Sequence, residues 1–221
     1  THGGTSATGC AESACTNKAI GKYWTGHGGI SATGCSEATC TNKTTGKYWT
    51  GHGGTSSTGC AESTCTNKTS GYYWTSHGGT SAGGCSNAQC TNTEKGKYFT
   101  GHGGTSATGC AKGNCTNTYA GKYWSAANWT NSASGCTNSN CTNGQSAGYY
   151  YSGHGGTANS CATAKCTNAA AGQYYTSFAK SGTGSGYLNS ASSCGVADCA
   201  KNTGYYWTNA GSGANAGTSS T

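Results

Sequence analysis

Sixteen cysteines and six histidines are the residues of this chain best equipped to bond, ligate or catalyse. The cysteines come as eight pairs at one spacing, C-x-x-x-x-C: Cys10/Cys15, Cys35/Cys40, Cys60/Cys65, Cys85/Cys90, Cys110/Cys115, Cys136/Cys141, Cys161/Cys166 and Cys194/Cys199. An even count in a chain with only 8% charged residues reads as a disulfide framework, and so as an oxidising, extracellular compartment. Each histidine opens a His-Gly-Gly motif, at His2, His27, His52, His77, His102 and His154. A metal row needs further ligands converging on one ion. No carboxylate is matched to the histidines at a fixed spacing, so they are assigned to turns and packing, with no metal and no cofactor. Asp198 is the sole Asp, and Glu is confined to Glu12, Glu37, Glu62 and Glu94. Neither a Ser/His/Asp triad nor a carboxylate pair assembles from that inventory, and the chain reads as non-enzymatic.

These motifs recur with a period, which defines the elements that must position them. Residues 1–125 are five copies of a 25-residue repeat, the second reading GHGGISATGCSEATCTNKTTGKYWT. Three looser copies occupy 126–152, 153–176 and 177–208, followed by a Gly/Ser/Ala/Asn-rich tail, 209–221. Thr-Asn follows the second cysteine in seven copies and is lost only in the last, which has Ala200-Lys201-Asn202. A Gly precedes an aromatic pair in every copy, as in Gly21-Lys22-Tyr23-Trp24. Asn-x-Ser/Thr sequons mark Asn42, Asn67 and Asn128 as glycosylation sites of an extracellular chain. The copy holding Asn128 lacks His-Gly-Gly, and that segment is expected to loop out.

The branched aliphatic inventory is Ile20, Ile30, Leu188 and Val196. At roughly 1.5 to 3 kcal/mol per buried side chain, these cannot offset the ordering entropy of such a chain, so a conventional core is excluded. What remains is cysteine and the aromatic pairs. Stacked repeats would place ring on ring, in a ladder of Tyr23, Trp24, Tyr48, Trp49, Tyr73, Trp74, Tyr98, Phe99, Tyr123 and Trp124. A bridge within each C-x-x-x-x-C closes a loop worth about 2.2 kcal/mol of chain entropy; a bridge between repeats, such as Cys15 to Cys35, is worth about 3.3 kcal/mol. Parity favours the local bond, because it uses every cysteine, whereas successive pairing strands Cys10 and Cys199. Gly-Gly, Thr-Asn and Lys-Tyr-Trp-Thr indicate turns and short strands. The expected fold is therefore a small disulfide-rich, all-β tandem-repeat array: an elongated rod or solenoid of about eight units.

The formal charge of +7 comes from lysines spread one or two per repeat with no arginine, which argues against nucleic acid as a partner. No apolar run reaches the length of a membrane span. The chain opens at Thr1, as expected of a processed product or a fragment. The eight cysteine pairs, Thr-Asn after them and Gly-x-Tyr from Gly21/Tyr23 to Gly204/Tyr206 resemble the cysteine-periodic repeats of ciliate immobilization (surface) antigens. That resemblance implies an abundant cell-surface coat protein with a glycolipid anchor. The expectation is a structural protein of the extracellular surface that associates with itself, with coat or matrix components, or with glycans. Ice or glycan binding through a repetitive Thr or aromatic face is the alternative.

Overall fold

The computed structural model of the chain describes residues 11–179 and 190–201, and the sequence calls at Cys10, His2 and the tail lie outside them. Among the described residues there are fourteen strands of three residues each and no helix. They form seven antiparallel pairs: β1 (Lys22–Trp24) with β2 (Glu37–Thr39), β3 (Lys47–Trp49) with β4 (Glu62–Thr64), β5 (Tyr72–Trp74) with β6 (Asn87–Gln89), and β7 (Lys97–Phe99) with β8 (Lys112–Asn114). The series continues with β9 (Lys122–Trp124) and β10 (Asn138–Asn140), β11 (Tyr149–Tyr151) and β12 (Thr163–Lys165), and β13 (Gln173–Tyr175) and β14 (Val196–Asp198). The chain is thus a small, disulfide-rich, all-β tandem-repeat protein.

Each pair straddles a repeat boundary. The aromatic segment of one copy supplies the first strand, and the residues between the paired cysteines of the next copy supply the second. In the first pair Lys22 faces Thr39, Tyr23 faces Ala38 and Trp24 faces Glu37. The residue opposite the central aromatic is small in every pair (Ala38, Ser63, Ala88, Gly113, Ser139, Ala164 and Ala197), which leaves room for the ring on that face.

This arrangement overturns the local disulfide. Cys35 and Cys40 flank an extended strand, and at about 3.3 Å per residue their Cα atoms are roughly 16 Å apart, well beyond bridging range. The bonds instead join the second cysteine of one copy to the first of the next: Cys15–Cys35, Cys40–Cys60, Cys65–Cys85, Cys90–Cys110, Cys115–Cys136, Cys141–Cys161 and Cys166–Cys194. Cys199 is buried and carries no bridge.

The described residues divide into two compact units, one running to Asn92 and including Thr100–Ala111, the other made of Thr93–Phe99 and the chain from Lys112. In the first, the core is a series of small clusters, such as Cys40, Trp49 and Cys60 with Tyr23 against them, then Cys65, Trp74 and Cys85 with Tyr48. In the second, Cys141, Tyr151, Cys161 and Phe178 pack with Tyr123 and Tyr149. A buried ring contributes about 150 to 250 Å², or about 4 to 6 kcal/mol at 25 cal/mol per Å². Bridges and rings therefore replace the missing aliphatics.

The Gly before each aromatic pair has a double cause. Gly46 has φ +79°, in the left-handed region, and a Cβ there would lie 2.7 Å from a ring carbon of Trp74. The Trp of one repeat thus lies flat on the glycine of the previous one.

Candidate functional site

Among the described residues, the arrangement that recurs with full chemical detail is the seam between repeats. The bridge Cys40–Cys60 lies at its centre, with Cα atoms 6.2 Å apart. Thr-Asn clamps the segment leading into the second cysteine: the Thr41 amide donates to the Ser57 carbonyl at 2.7 Å and Asn42 Nδ2 donates to the Cys60 carbonyl at 2.7 Å. The Asn contact repeats at Asn17, Asn67, Asn92, Asn117, Asn143 and Asn168, once per bridge. Trp49 Nε1 then donates to the Asn42 carbonyl at 2.7 Å, and Trp74 Nε1 to Asn67 Oδ1 at 3.0 Å. Where Tyr replaces Trp the donor survives, since the Tyr151 hydroxyl reaches the Asn143 carbonyl at 2.7 Å and the Tyr175 hydroxyl reaches Cys166 at 2.7 Å. Phe99 has no such donor; Asn92 Oδ1 is buried without a partner, as are Asn17 Oδ1 and Asn42 Oδ1, where the indole donates to the main-chain carbonyl instead.

The second half of the seam is the His-Gly-Gly turn. The first strands β1, β3, β5 and β9 have their strand partner on one edge and the His-Gly-Gly turn of a later copy on the other. The Trp24 amide donates to Gly54 at 2.7 Å and the Gly53 amide donates to Lys22 at 2.8 Å. The turn is held by its own histidine, because the Gly54 amide donates to His52 Nδ1 at 3.0 Å. The imidazole lies against the indole of Trp24 with ring centroids 4.6 Å apart, and Trp49–His77, Trp74–His102 and Trp124–His154 repeat the contact at 4.4 to 4.5 Å. The expected stacking of like rings is replaced by this alternation. Trp49, Trp74 and Phe99 are buried, while Trp24, Trp124 and the central tyrosines Tyr23, Tyr48, Tyr73, Tyr98 and Tyr123 are half-buried.

Among the described residues a carboxylate does recur fifteen positions before His27, His52 and His77, which corrects the sequence reading. Nε2 of His52 is 3.0 Å from Glu37, and Nε2 of His77 is 3.1 Å from Glu62, each acid lying fifteen positions before its histidine. Both nitrogens are buried, and no aligned hydrogen bond reaches them. Later copies substitute an amide: Nε2 of His102 is 3.0 Å from Asn87 Oδ1, and Nε2 of His154 is 3.0 Å from Asn138 Oδ1. Burial holds His102 below the ordinary histidine value, with the charge of Lys68 adding to it, and burial alone lowers His154. At Glu62, burial pulls upward but is outweighed by hydrogen bonds from the Thr44 amide and hydroxyl and by the charges of His77 and Lys47, so the carboxyl sits below its usual value. Glu94 is lowered by the hydrogen bond and charge of Lys112, 2.8 Å away. Lys18, Lys43 and Lys68 lie over the indoles of Trp24, Trp49 and Trp74 at 5.6 to 5.8 Å, capping the row with positive charge.

The segment with Asn128 does not loop out. Thr130 accepts the Phe99 amide at 2.8 Å and the Trp129 ring packs on Phe99, so this stretch fills the place of the His-Gly-Gly turn and Asn128 is half-buried. Asn42 and Asn67 place their Nδ2, the atom a glycan would occupy, inside the seam. Among the described residues no group of three or more His, Cys, Asp or Glu gathers as a metal site, and no helix is long and apolar enough to cross a membrane. The arrangement performs one task well: it locks consecutive copies by a bridge, a clamp and a ring contact. No protein-family description, curated protein or solved structure matches the chain.

Proposed function

We propose that the chain is a non-enzymatic structural protein of the extracellular surface, a building element of a coat or matrix. The observation that carries this reading is the run of seven bridges, each tying one repeat to the next. Such bonds persist in an oxidising compartment and are reduced in a cytosol. They make the array a covalent mesh in addition to a folded chain, which suits mechanical and proteolytic resistance. Among the described residues every cysteine but Cys199 is committed to that mesh, the histidines to their turns and the indoles of Trp24, Trp49, Trp74 and Trp124 to the clamps. The resemblance to ciliate surface antigens agrees with an abundant coat protein and brings a glycolipid anchor into the same reading.

The test is location. An antibody against the chain should label intact, unpermeabilised cells of the source or their secreted material, and non-reducing peptide mapping of that material should return the seven bridges. A protein found in the cytosol with reduced cysteines ends the proposal.

A further inference from the structure

Five Asn-x-Thr sequons occur in the sequence: Asn42-Lys43-Thr44, Asn67-Lys68-Thr69, Asn114-Cys115-Thr116, Asn128-Trp129-Thr130 and Asn140-Cys141-Thr142. The fold treats them very differently. Asn42 and Asn67 are clamp residues, and the clamp Asn stands in its place whatever follows it: Lys-Ala after Asn17, Thr-Glu after Asn92, Thr-Tyr after Asn117. Their sequons arise only because a Thr happens to lie two positions on. Both ends of each amide are inside the seam. Asn42 Nδ2 donates to the Cys60 carbonyl and its Oδ1 is buried; Asn67 Nδ2 donates to the Cys85 carbonyl and its Oδ1 accepts Trp74 Nε1. A sugar on either would have to occupy the seam itself. Asn128 is half-buried in the stretch that fills the place of a His-Gly-Gly turn, and Asn140 is half-buried in β10.

Asn114 is the one sequon asparagine that is exposed. It ends β8 and faces Lys97 across the pair, and Lys97 Nζ donates to its Oδ1 at 2.6 Å. That bond holds the carbonyl end of the amide and leaves Nδ2, the atom that carries a sugar, without a partner among the described residues. No clamp or core role explains an asparagine here. The same position in the other pairs is Thr39, Thr64, Gln89, Asn140, Lys165 and Asp198, exposed in all but Asn140. Side chains as long as Gln89 and Lys165 stand there with the strand pair intact, so the position accepts bulk outward.

We propose that Asn114 is the N-glycosylation site of the chain and that, of the five sequons, it alone carries sugar in the folded protein. The proposal rests on the extracellular reading above, because the donor is met on the way to the surface. Nδ2 of Asn114 displaces the pyrophosphate of a lipid-linked oligosaccharide at the anomeric carbon. One C–N bond forms and one C–O bond breaks; the lipid pyrophosphate leaves, and the amide proton goes to a base of the membrane-bound transferase. Cys115, the middle residue of the sequon, bridges to Cys136, which is made 21 residues later, so the sequon is available in extended form before that bond closes. Once it closes, Asn114 stays outside. The same transfer at Asn42 or Asn67 yields a chain whose clamp cannot seat.

The full chain, secreted from cultured eukaryotic cells behind a cleavable signal, tests this. Amidase treatment releases the sugar and leaves Asp where the glycosylated Asn stood. It should collapse a single electrophoretic step, and peptide mapping of molecules holding all seven bridges should find the conversion at position 114 and at none of 42, 67, 128 and 140. Asn114→Gln, which installs the residue found at Gln89, should remove the step, as should Thr116→Ala; Thr116→Ser, which keeps the sequon, should retain it. In all three variants the seven bridges should be unchanged. A secreted, fully bridged chain that carries no sugar, or that carries it at any of the other four sequons, overturns the proposal. Either result leaves the extracellular structural role standing, because that role is read from the location of the protein in its source.

Discussion

Replacing Gly46 by Ala probes the seam most sharply, because the structure separates two costs that usually come together. Gly46 and Gly54 both have positive φ, +79° and +64°. A Cβ on Gly54 meets nothing within 4 Å, whereas one on Gly46 lies 2.7 Å from the Trp74 ring. Gly54→Ala therefore carries the conformational cost alone, about 1 to 2 kcal/mol. Gly46→Ala adds overpacking of about 1 to 3 kcal/mol, for a total of about 2 to 5 kcal/mol. The effect is local in a repeat array, so native-state amide exchange is the right assay. The reporting amide for Gly46→Ala is that of Cys65, which donates to the Gly46 carbonyl at 2.9 Å; for Gly54→Ala it is that of Trp24, which donates to Gly54 at 2.7 Å. At a tenfold change per 1.4 kcal/mol, exchange should accelerate roughly 5- to 30-fold for Gly54→Ala and roughly 30- to several-thousand-fold for Gly46→Ala. Equal acceleration in the two variants would refute the stacking of Trp74 on Gly46 as the reason that a glycine stands before each aromatic pair.

Other consequences are equally measurable. The double variant Cys65→Ser/Cys85→Ser removes one bridge and should cost about 3.3 kcal/mol in thermal unfolding, whereas Cys60→Ser/Cys65→Ser breaks two bridges and should cost about twice as much; the reverse order would restore the local pairing. Trp49→Tyr keeps a donor for Asn42 and Trp49→Phe does not, so the Phe variant should be less stable by about 1 kcal/mol in the same melts. Acid should weaken the fold in two steps. His102 and His154 are depressed in the folded state, so their contribution is complete above the unfolded value of about 6.5 and is lost as pH falls through the lower folded values. Glu62 is depressed as well, and its contribution is lost later, as pH falls below its unfolded value of about 4.3. Melting temperature against pH reads both steps; a rise in stability on acidification from pH 7 to 5 contradicts the histidine assignment.

Much of the fold was legible because the repeat is its own alignment. Eight copies expose which positions the architecture needs, and the shortage of aliphatics forces those positions to be cysteines, rings and glycines. The connectivity was misread because counting cysteines weighs all sixteen alike, whereas geometry distinguishes them. Glu37-Ala38-Thr39 is a strand, and a strand between two cysteines carries them apart. The Glu–His pairing was missed for a related reason: fifteen residues separate Glu37 from His52, and only a strand followed by a long return brings them together. One signal for the bridges was present in the sequence. Thr-Asn directly follows Cys15, Cys40, Cys65, Cys90, Cys115, Cys141 and Cys166, the cysteines from which the seven bridges start, and its Asn amide holds the carbonyl of the cysteine at the far end of each.

Bonds between neighbouring copies also change how the array resists force and cleavage. A local bridge would make each repeat an independent bead, with folding free energy confined to about 25 residues and links as weak as a single chain crossing. Bridges of separation 20 to 28 instead span the crossing itself, so that a cut between Cys40 and Cys60 leaves the two halves joined. Between Cys60 and Cys65 no bridge spans the chain, and that segment contains β4, Glu62–Thr64, paired to Lys47–Trp49. The covalent mesh and the strand pairs are therefore staggered, each covering the stretch that the other leaves open. Proteolysis of the oxidised protein should produce nicks in the exposed turn around Ser56–Thr58 without loss of mass under non-reducing conditions. Release of fragments at native pH without reductant would show that the stagger does not hold the chain together.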